Sequence, residues 1–492
     1  MKRIFYISIA IVFALGSCQK LEDLNENPNN VSATHPQLLL TDIAWNAFQV
    51  EGVSPLFASR MLIQTDGEEQ NQFYTWDRGS FEYYGALRNV EKMIEEAKRI
   101  DSPTYVALGK FFRAFYFYEL AITFGDVPYS EALKGESEEL YAPVYDTQKE
   151  VFVGILQELK EADDLLKDDN TVIAGDIIYN GDSQQWRKLI NSYRLKVLIS
   201  LSNKESDSDL NIASTFANIV ASLPLISSNA DNGQLEFIDE AGSRYTEFNN
   251  SGYGSARYVD STFIKRLQDR QDPRLFIYCD RTKLAKEAGL AVNDFSAYEG
   301  GDPIAPYNDV NIKAQDGKVS KVNLRYTTEP TTEAHVVLGY AEVQLILAEA
   351  SILGWISSNA AIHYENAVRA SFSFYNTFAI DYAQYVDNAA ATTYLQNPLV
   401  DFTVATNNEE RIELIITQKY LASFLQGGWR LYYDYLRTGY PYFRQLTGVT
   451  PPTRWMYPNS EYQENSVNVA AAIARQFGAN NDNTREIPWW LK

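Results

Sequence analysis

From about residue 37 onward, apolar residues recur at helical spacing, and the periodic segments come in adjacent pairs. Residues 37–50 predict a first helix. The stretch 82–100 sets Tyr84, Leu87, Val90, Glu91 and Ile94 at helical intervals, and Asp101-Ser102-Pro103 stops it before a second periodic stretch over 104–124. Further pairs cover about 147–167 with 184–203, 334–354 with 358–374, and 408–426 with 428–437, the last broken at Gly427-Gly428. Tyr105, Leu108, Gly109, Phe112, Ala114 and Tyr118 fall near the tetratricopeptide pattern, whose small residues let two helices approach closely. The pairs are unevenly spaced, which argues against a regular array. The expected fold class is therefore mainly α, with tetratricopeptide-like helical hairpins forming a scaffold. Large irregular insertions at 52–81, 225–260, 290–332 and 438–464 are rich in Gly, Asn, Asp, Pro and aromatics. Long irregular segments of this kind are commonly functional. A few short β-hairpins are expected inside them, for example around Gln234-Leu235-Glu236-Phe237-Ile238.

The N-terminus has a different character. Met1-Lys2-Arg3 precedes an apolar run, Ile4–Leu15, followed by Gly16-Ser17-Cys18. A charged start, a short apolar core and small residues are the parts of an export signal. The run is far short of the roughly 20 residues that span a bilayer, which argues against a retained anchor. A cysteine behind the small pair resembles the bacterial lipobox, where the thiol is acylated. The expected organisation is a signal peptide over 1–17, a lipid-anchored tether over 18–36 beginning at Cys18, and one domain over 37–492. The tether is polar, with Asn25, Asn27, Pro28, Asn29 and Asn30 and no apolar face.

Composition narrows the chemistry. The formal charge of −21 repels nucleic acid and anionic lipid, so membrane association is expected through acyl chains alone and no nucleic acid is an expected partner. With Cys18 lipidated, Cys279 has no disulfide partner, and its apolar surroundings Leu275-Phe276-Ile277-Tyr278 predict a buried, inert thiol. His35, His335 and His363 lack metal-ligand spacing. Asn229-Ala230-Asp231-Asn232-Gly233 resembles the start of a calcium loop, but the later ligands do not follow and a turn is expected. The chain carries no phosphate loop, nucleophile elbow, paired-histidine zinc motif or dinucleotide fingerprint. No catalytic residue, metal or cofactor is expected. The 33 Tyr, 25 Phe and 8 Trp offer flat apolar faces on which sugar rings and peptides can rest, although most will pack in the core.

Several segments in order resemble the SusD/RagB family of outer-membrane nutrient-binding lipoproteins of Bacteroidetes, closest to the branch called SusD-like 2. They are the run Gly109-Lys110-Phe111-Phe112-Arg113-Ala114 leading into Phe124-Gly125-Asp126-Val127-Pro128-Tyr129, and the helix Tyr340-Ala341-Glu342-Val343-Gln344-Leu345. Gln418-Lys419-Tyr420 with Gly428-Trp429-Arg430-Leu431-Tyr432 follows, then Arg454-Trp455-Met456-Tyr457-Pro458 with Glu461 and Asn465, and finally Trp489-Trp490. The resemblance implies a surface-exposed lipoprotein of the outer membrane that acts as lid on a SusC-like TonB-dependent transporter. It further implies capture of an oligomeric nutrient, a glycan or less often a peptide. The shared segments are read as mainly structural.

Ligand residues are expected in the irregular segments, as an aromatic platform fixed by polar side chains. Between the first two helices lie Phe73, Tyr74, Trp76, Asp77, Arg78, Tyr83 and Tyr84; Tyr298 and Tyr307 are secondary candidates. Two other readings stay open. One is a surface glycoside hydrolase or other polysaccharide-degrading enzyme using paired carboxylates. The other is an assembly scaffold docking only protein.

Overall fold

In the computed structural model, residues 34–50 and 52–492 are described. Cys18, the signal segment and the tether up to residue 33 lie outside the described residues.

The periodic segments form helices close to their expected bounds. We label α1 (Pro36–Phe48), α2 (Tyr83–Arg99), α3 (Pro103–Phe124), α4 (Gln148–Leu166), α5 (Ser183–Ser200), α6 (Tyr340–Ile352), α7 (Ala360–Phe378), α8 (Asn408–Leu421) and α9 (Arg430–Thr438). Their ends follow from local chemistry. Pro103 opens α3, where its missing N–H costs nothing, and Gly125 closes it at φ +99°, a conformation that suits glycine. Thr147 and Glu150 form a reciprocal capping box at the start of α4. Asp182, Asn359 and Asn407 cap α5, α7 and α8.

Helix α3 packs between α2 and α4, and α4 on α5. A β-carbon at Gly109 would meet the Ile94 side chain at 2.3 Å, so α2 and α3 touch where only hydrogen fits. In a second group α6 packs on α7 and α8, and α5 meets α6 where the groups join. Helices α3 and α5 are buried nearly all round, as that central position requires. No helix among the described residues is long and apolar enough to cross a membrane.

The strands depart from expectation. Strands β1 (Leu62–Gln64), β2 (Gly233–Leu235), β3 (Arg257–Val259) and β4 (His335–Leu338) form two antiparallel pairs, β1 with β3 and β2 with β4. Leu62 pairs with Val259, and Leu235 with His335. The hairpin expected at 234–238 is therefore replaced by a long-range ladder. Beyond Leu235 the chain turns, with the Ile238 N–H bonded to the Ser243 carbonyl at 3.0 Å. The helix expected from 334 begins only at Tyr340, because the β-branched Val336-Val337 stays extended and Gly339 separates strand from helix. His335 is buried, accepting from the Val50 N–H at Nδ1 (3.0 Å) and lying edge-on to Phe237 and Tyr245. Cys279 is buried too, and burial pushes its thiol pKa well up, so it stays protonated.

Candidate ligand site

The junction of the two helix groups is held by charge. Helices α5, α6, α8 and α9 contribute Lys196, Glu342 and Glu349, Lys419, and Arg430, Asp434 and Arg437. Lys419 Nζ lies 2.7 Å from Asp434 and 3.2 Å from Glu342. Arg437 grips Glu349 with both terminal nitrogens, Nη2 at 3.1 Å from Oε2, and reaches Asp434 at 3.2 Å. Burial alone would raise the Glu342 and Asp434 carboxyls. The surrounding cations outweigh it and hold both below the usual carboxylate range.

Arg430 is the hub. Its Nε donates to Gly427 O (3.1 Å), Nη2 to Gln426 O (2.7 Å) and Val336 O (3.4 Å), and Nη1 to Val337 O and to Glu342 Oε2 (3.3 Å). The left-handed turn at Gly428, φ +52°, delivers Trp429 and Arg430 to this position. A cleft opens on each side of Arg430. The first, an open cleft with a cavity of about 120 Å³, lies between α1, the start of α2, α3, α5 and the 427–430 turn. Tyr83, Phe115, Tyr116 and Trp429 form its aromatic walls, Asn46 and Gln49 its amide rim. The second, with a cavity of about 70 Å³, is lined by residues that include Asn229, Asn232, Tyr340, Phe374 and Gln426.

Two side chains in the first cleft are underused. Glu119 is half-buried, and among the described residues its carboxylate has no hydrogen-bond donor. Burial pushes its pKa up against the pull of Lys196 and Arg430. The Lys196 side chain is 4% exposed. Among the described residues its ammonium makes long polar contacts, 3.4 Å to Val337 O and 3.5 Å to Glu342 Oε1, and lies over the Tyr193 ring. Burial, reinforced by Arg430, lowers its pKa to about 7. A wider charged groove lies between α2, α3 and the 130–141 segment. There Lys92, Lys110 and Arg113 are already paired with Glu95, Glu161 and Glu158.

The structure divides the sequence-predicted site residues. Tyr83 lies in the first cleft, its ring 5.5 Å from that of Tyr116. Trp76, 3% exposed, is a core residue and not a surface platform: it contacts Trp455, Tyr432 and Trp429, bracing from behind the indole that does face the cleft. Tyr74 is likewise buried, with its hydroxyl donating to Ala58 O (2.9 Å) and Arg60 over its ring. Tyr298 is buried against Phe276 and donates to Val292 O. These three sit inside because each is seized by neighbouring aromatics or a free carbonyl, which the one-dimensional pattern does not display. Arg78 pairs with Asp482 (3.2 Å) and lies over Tyr462. Tyr84 donates to Pro128 O (2.6 Å) and faces a separate groove beside Glu461. Phe73 and Tyr307 are half-buried and Asp77 is exposed, all away from the first cleft.

The sequence pattern does not mark Glu119, Lys196, Trp429 or Arg430 as candidate site residues, and the segment holding the last two reads as structural. One signal was present. A charge flanked directly by apolar residues, as in Tyr118-Glu119-Leu120 or Leu195-Lys196-Val197, must find a partner or a ligand when its helix is buried.

Comparison with known proteins bears on this geometry. The family model described as "Starch-binding associating with outer membrane", a SusD-like family, matches residues 28–458. The chain is 54% identical to a SusD homologue of known structure from Bacteroides fragilis, covering 93% of this chain and 99% of that one at a TM-score of 0.89. A candidate outer-membrane nutrient-binding protein from Bacteroides vulgatus is 50% identical, with 93% and 100% covered and a TM-score of 0.90. The SusD-like protein P2 of Formosa agariphila is 24% identical over 318 residues, and the match spans 58% of each chain. By family model, sequence and fold together, this chain belongs to the SusD-like family.

Proposed function

We propose that the protein is a lipid-anchored, surface-exposed outer-membrane lipoprotein that captures an oligomeric nutrient in the first cleft. It delivers that nutrient to a SusC-like TonB-dependent transporter, for which it serves as lid. The observation that carries this reading is the cleft itself. It combines four aromatic side chains with a carboxylate and an ammonium whose hydrogen-bonding capacity is largely unspent. Buried polar groups without partners are costly unless a ligand completes them. Family membership supports the nutrient-binding role and the transporter partner. Of the nine residues expected from sequence, the proposal keeps Tyr83 as a ligand contact.

Binding without bond cleavage fits the chemistry better than hydrolysis. A glycosidase acid–base pair needs two available carboxylates flanking one bond. The first cleft offers Glu119, while Glu342 beside it is clamped by Lys419 and Arg430.

The test is a calorimetric and array screen of purified protein against glycans and peptides, with Tyr83→Ala as the comparison. The reading expects a hit whose affinity drops about ten-fold, or roughly 1.4 kcal/mol, in the variant, with little change in stability. Unchanged affinity in Tyr83→Ala would move the site elsewhere. New reducing ends from an incubated glycan would favour the hydrolase reading.

A further inference from the structure

We infer that the charged groove between α2, α3 and the 130–141 segment is a docking site for the chain's own N-terminal segment, residues 19–33, with Glu26 meeting Lys98 and Glu22 meeting Arg88. The inference is independent of the ligand reading of the first cleft.

Arg88 and Lys98 stand on the outer face of α2, ten residues apart and both exposed. Neither has an ion pair or a side-chain hydrogen bond among the described residues. The other cations that α2 and α3 bring to the groove are paired: Lys92 with Glu95, Lys110 with Glu161 and Arg113 with Glu158. Ten helical residues span about 15 Å, so the two unpaired cations mark opposite ends of one wall. The groove holds a cavity of about 1180 Å³, which over that length is on the order of 9 Å across. One extended chain with its side chains fills a section of about 5 by 10 Å. Between the two cations the lining includes the apolar Ile94 and Val106.

The chain itself begins at this groove. The Thr34 carbonyl accepts from Arg99 Nη2 at 3.2 Å, so residue 34 lies beside the end of α2 that carries Lys98. Residues 19–33, which lie outside the described part, therefore join the body at the Lys98 end. They carry Glu22, Asp23 and Glu26 against Lys20. Side chains alternate along an extended chain, so Glu22, Leu24 and Glu26 share one face. The two carboxylates then stand about 13 Å apart, within side-chain reach of both Arg88 and Lys98, and Leu24 falls between them over Ile94 and Val106. The eight residues from Glu26 to Thr34 can reach up to about 27 Å, and Asn27-Pro28-Asn29-Asn30 supplies a turn. Lys20, beyond Glu22, suits Glu136 and Glu138 on the far wall. Surface ion pairs are weak one by one. A segment attached at the end of its own groove nevertheless competes at a high effective concentration. Docking would fix where residue 18 sits on the body, and with it the face that an anchor at that residue turns toward a membrane.

The experiment uses the whole chain from residue 18 with Cys18→Ala, in which Cys279 is buried and resists labelling. Spin labels are placed at Asn25→Cys in the segment and at Ser137→Cys on the far wall, and their separation is read by double electron–electron resonance. The expected result is one narrow distance distribution. Reversing the wall with Arg88→Glu and Lys98→Glu should broaden it, and adding Glu22→Lys and Glu26→Lys should narrow it again. Thermal unfolding of each variant is recorded; if the reversed wall loses stability, high salt applied to the parent chain makes the same test, with broadening expected. A broad distribution in the parent chain overturns the inference. So does a narrow one indifferent to wall reversal and to salt, or a reversed wall that the reversed segment fails to rescue. A mixture of singly labelled chains that yields the narrow distance gives the groove to the segment of a second copy, and overturns it as well.

Discussion

The indole of Trp76 stacks on that of Trp455 with ring centroids 5.0 Å apart and planes 20° from parallel. Trp429 meets Trp455 edge-on at 4.5 Å, and Tyr432 closes the cluster. Segments far apart in sequence are thereby joined by aromatic packing behind the cleft. Trp76→Ala removes a fully enclosed side chain and leaves a void. It should cost about 3–5 kcal/mol of stability, read as a lowered urea midpoint. A variant with native stability would show that the cluster carries no such weight.

The Arg437–Glu349 pair gives a second prediction. Both side chains are buried, and Arg437 also serves Asp434. Glu349→Gln strips the charge that balances Arg437 and should destabilise by about 3–5 kcal/mol. Replacing both partners, Arg437→Met with Glu349→Leu, should recover much of the loss, because neither buried charge then lacks its mate. Equal destabilisation of the single and double variants in denaturant titrations would refute this account.

His335 sets a pH dependence. Burial lowers its pKa to about 3, against 6.5 for an exposed imidazole. In the unfolded chain it takes up a proton as pH falls through 6.5, while the folded state resists until about pH 3. Acidification through that window therefore favours unfolding. Between pH 7 and 4.5 this group should remove on the order of 2–3 kcal/mol of stability. His335→Gln, whose amide oxygen can still accept from Val50, should flatten that part of the profile. An unchanged slope in the variant would assign the effect to other groups.

Cys18 lies outside the described residues, and its lipidation is tested in cells. Cys18→Ala should leave the signal uncut or release the protein from the membrane fraction. Unchanged retention on fractionation would count against the anchor.

The helical hairpins were legible because period and punctuation agree: an apolar stripe in α2, then Asp101-Ser102-Pro103, then α3. The strands were not, since Leu62–Gln64 and Arg257–Val259 are too short to show a period and their partners lie far along the chain. At the candidate site, composition pointed to aromatics but could not tell a wall from a foundation. Trp76 and Tyr83 sit in the same irregular stretch, and only the arrival of Trp429 and Trp455 in three dimensions separates them. Glu119 and Lys196 were hidden differently. Each is one of several charges on its helix, and their place in one cleft depends on how α3 and α5 are brought together by the rest of the fold.

The β1–β3 ladder has a consequence for assembly. Roughly 200 residues separate its two strands, so during synthesis the first strand must wait, edge unprotected, until the second emerges. The hairpins between them can form as they appear, but the seam that closes the irregular half is sewn late. Ribosome-stalled chains ending before residue 257 should accordingly be far more sensitive to proteases around residue 62 than chains ending after it.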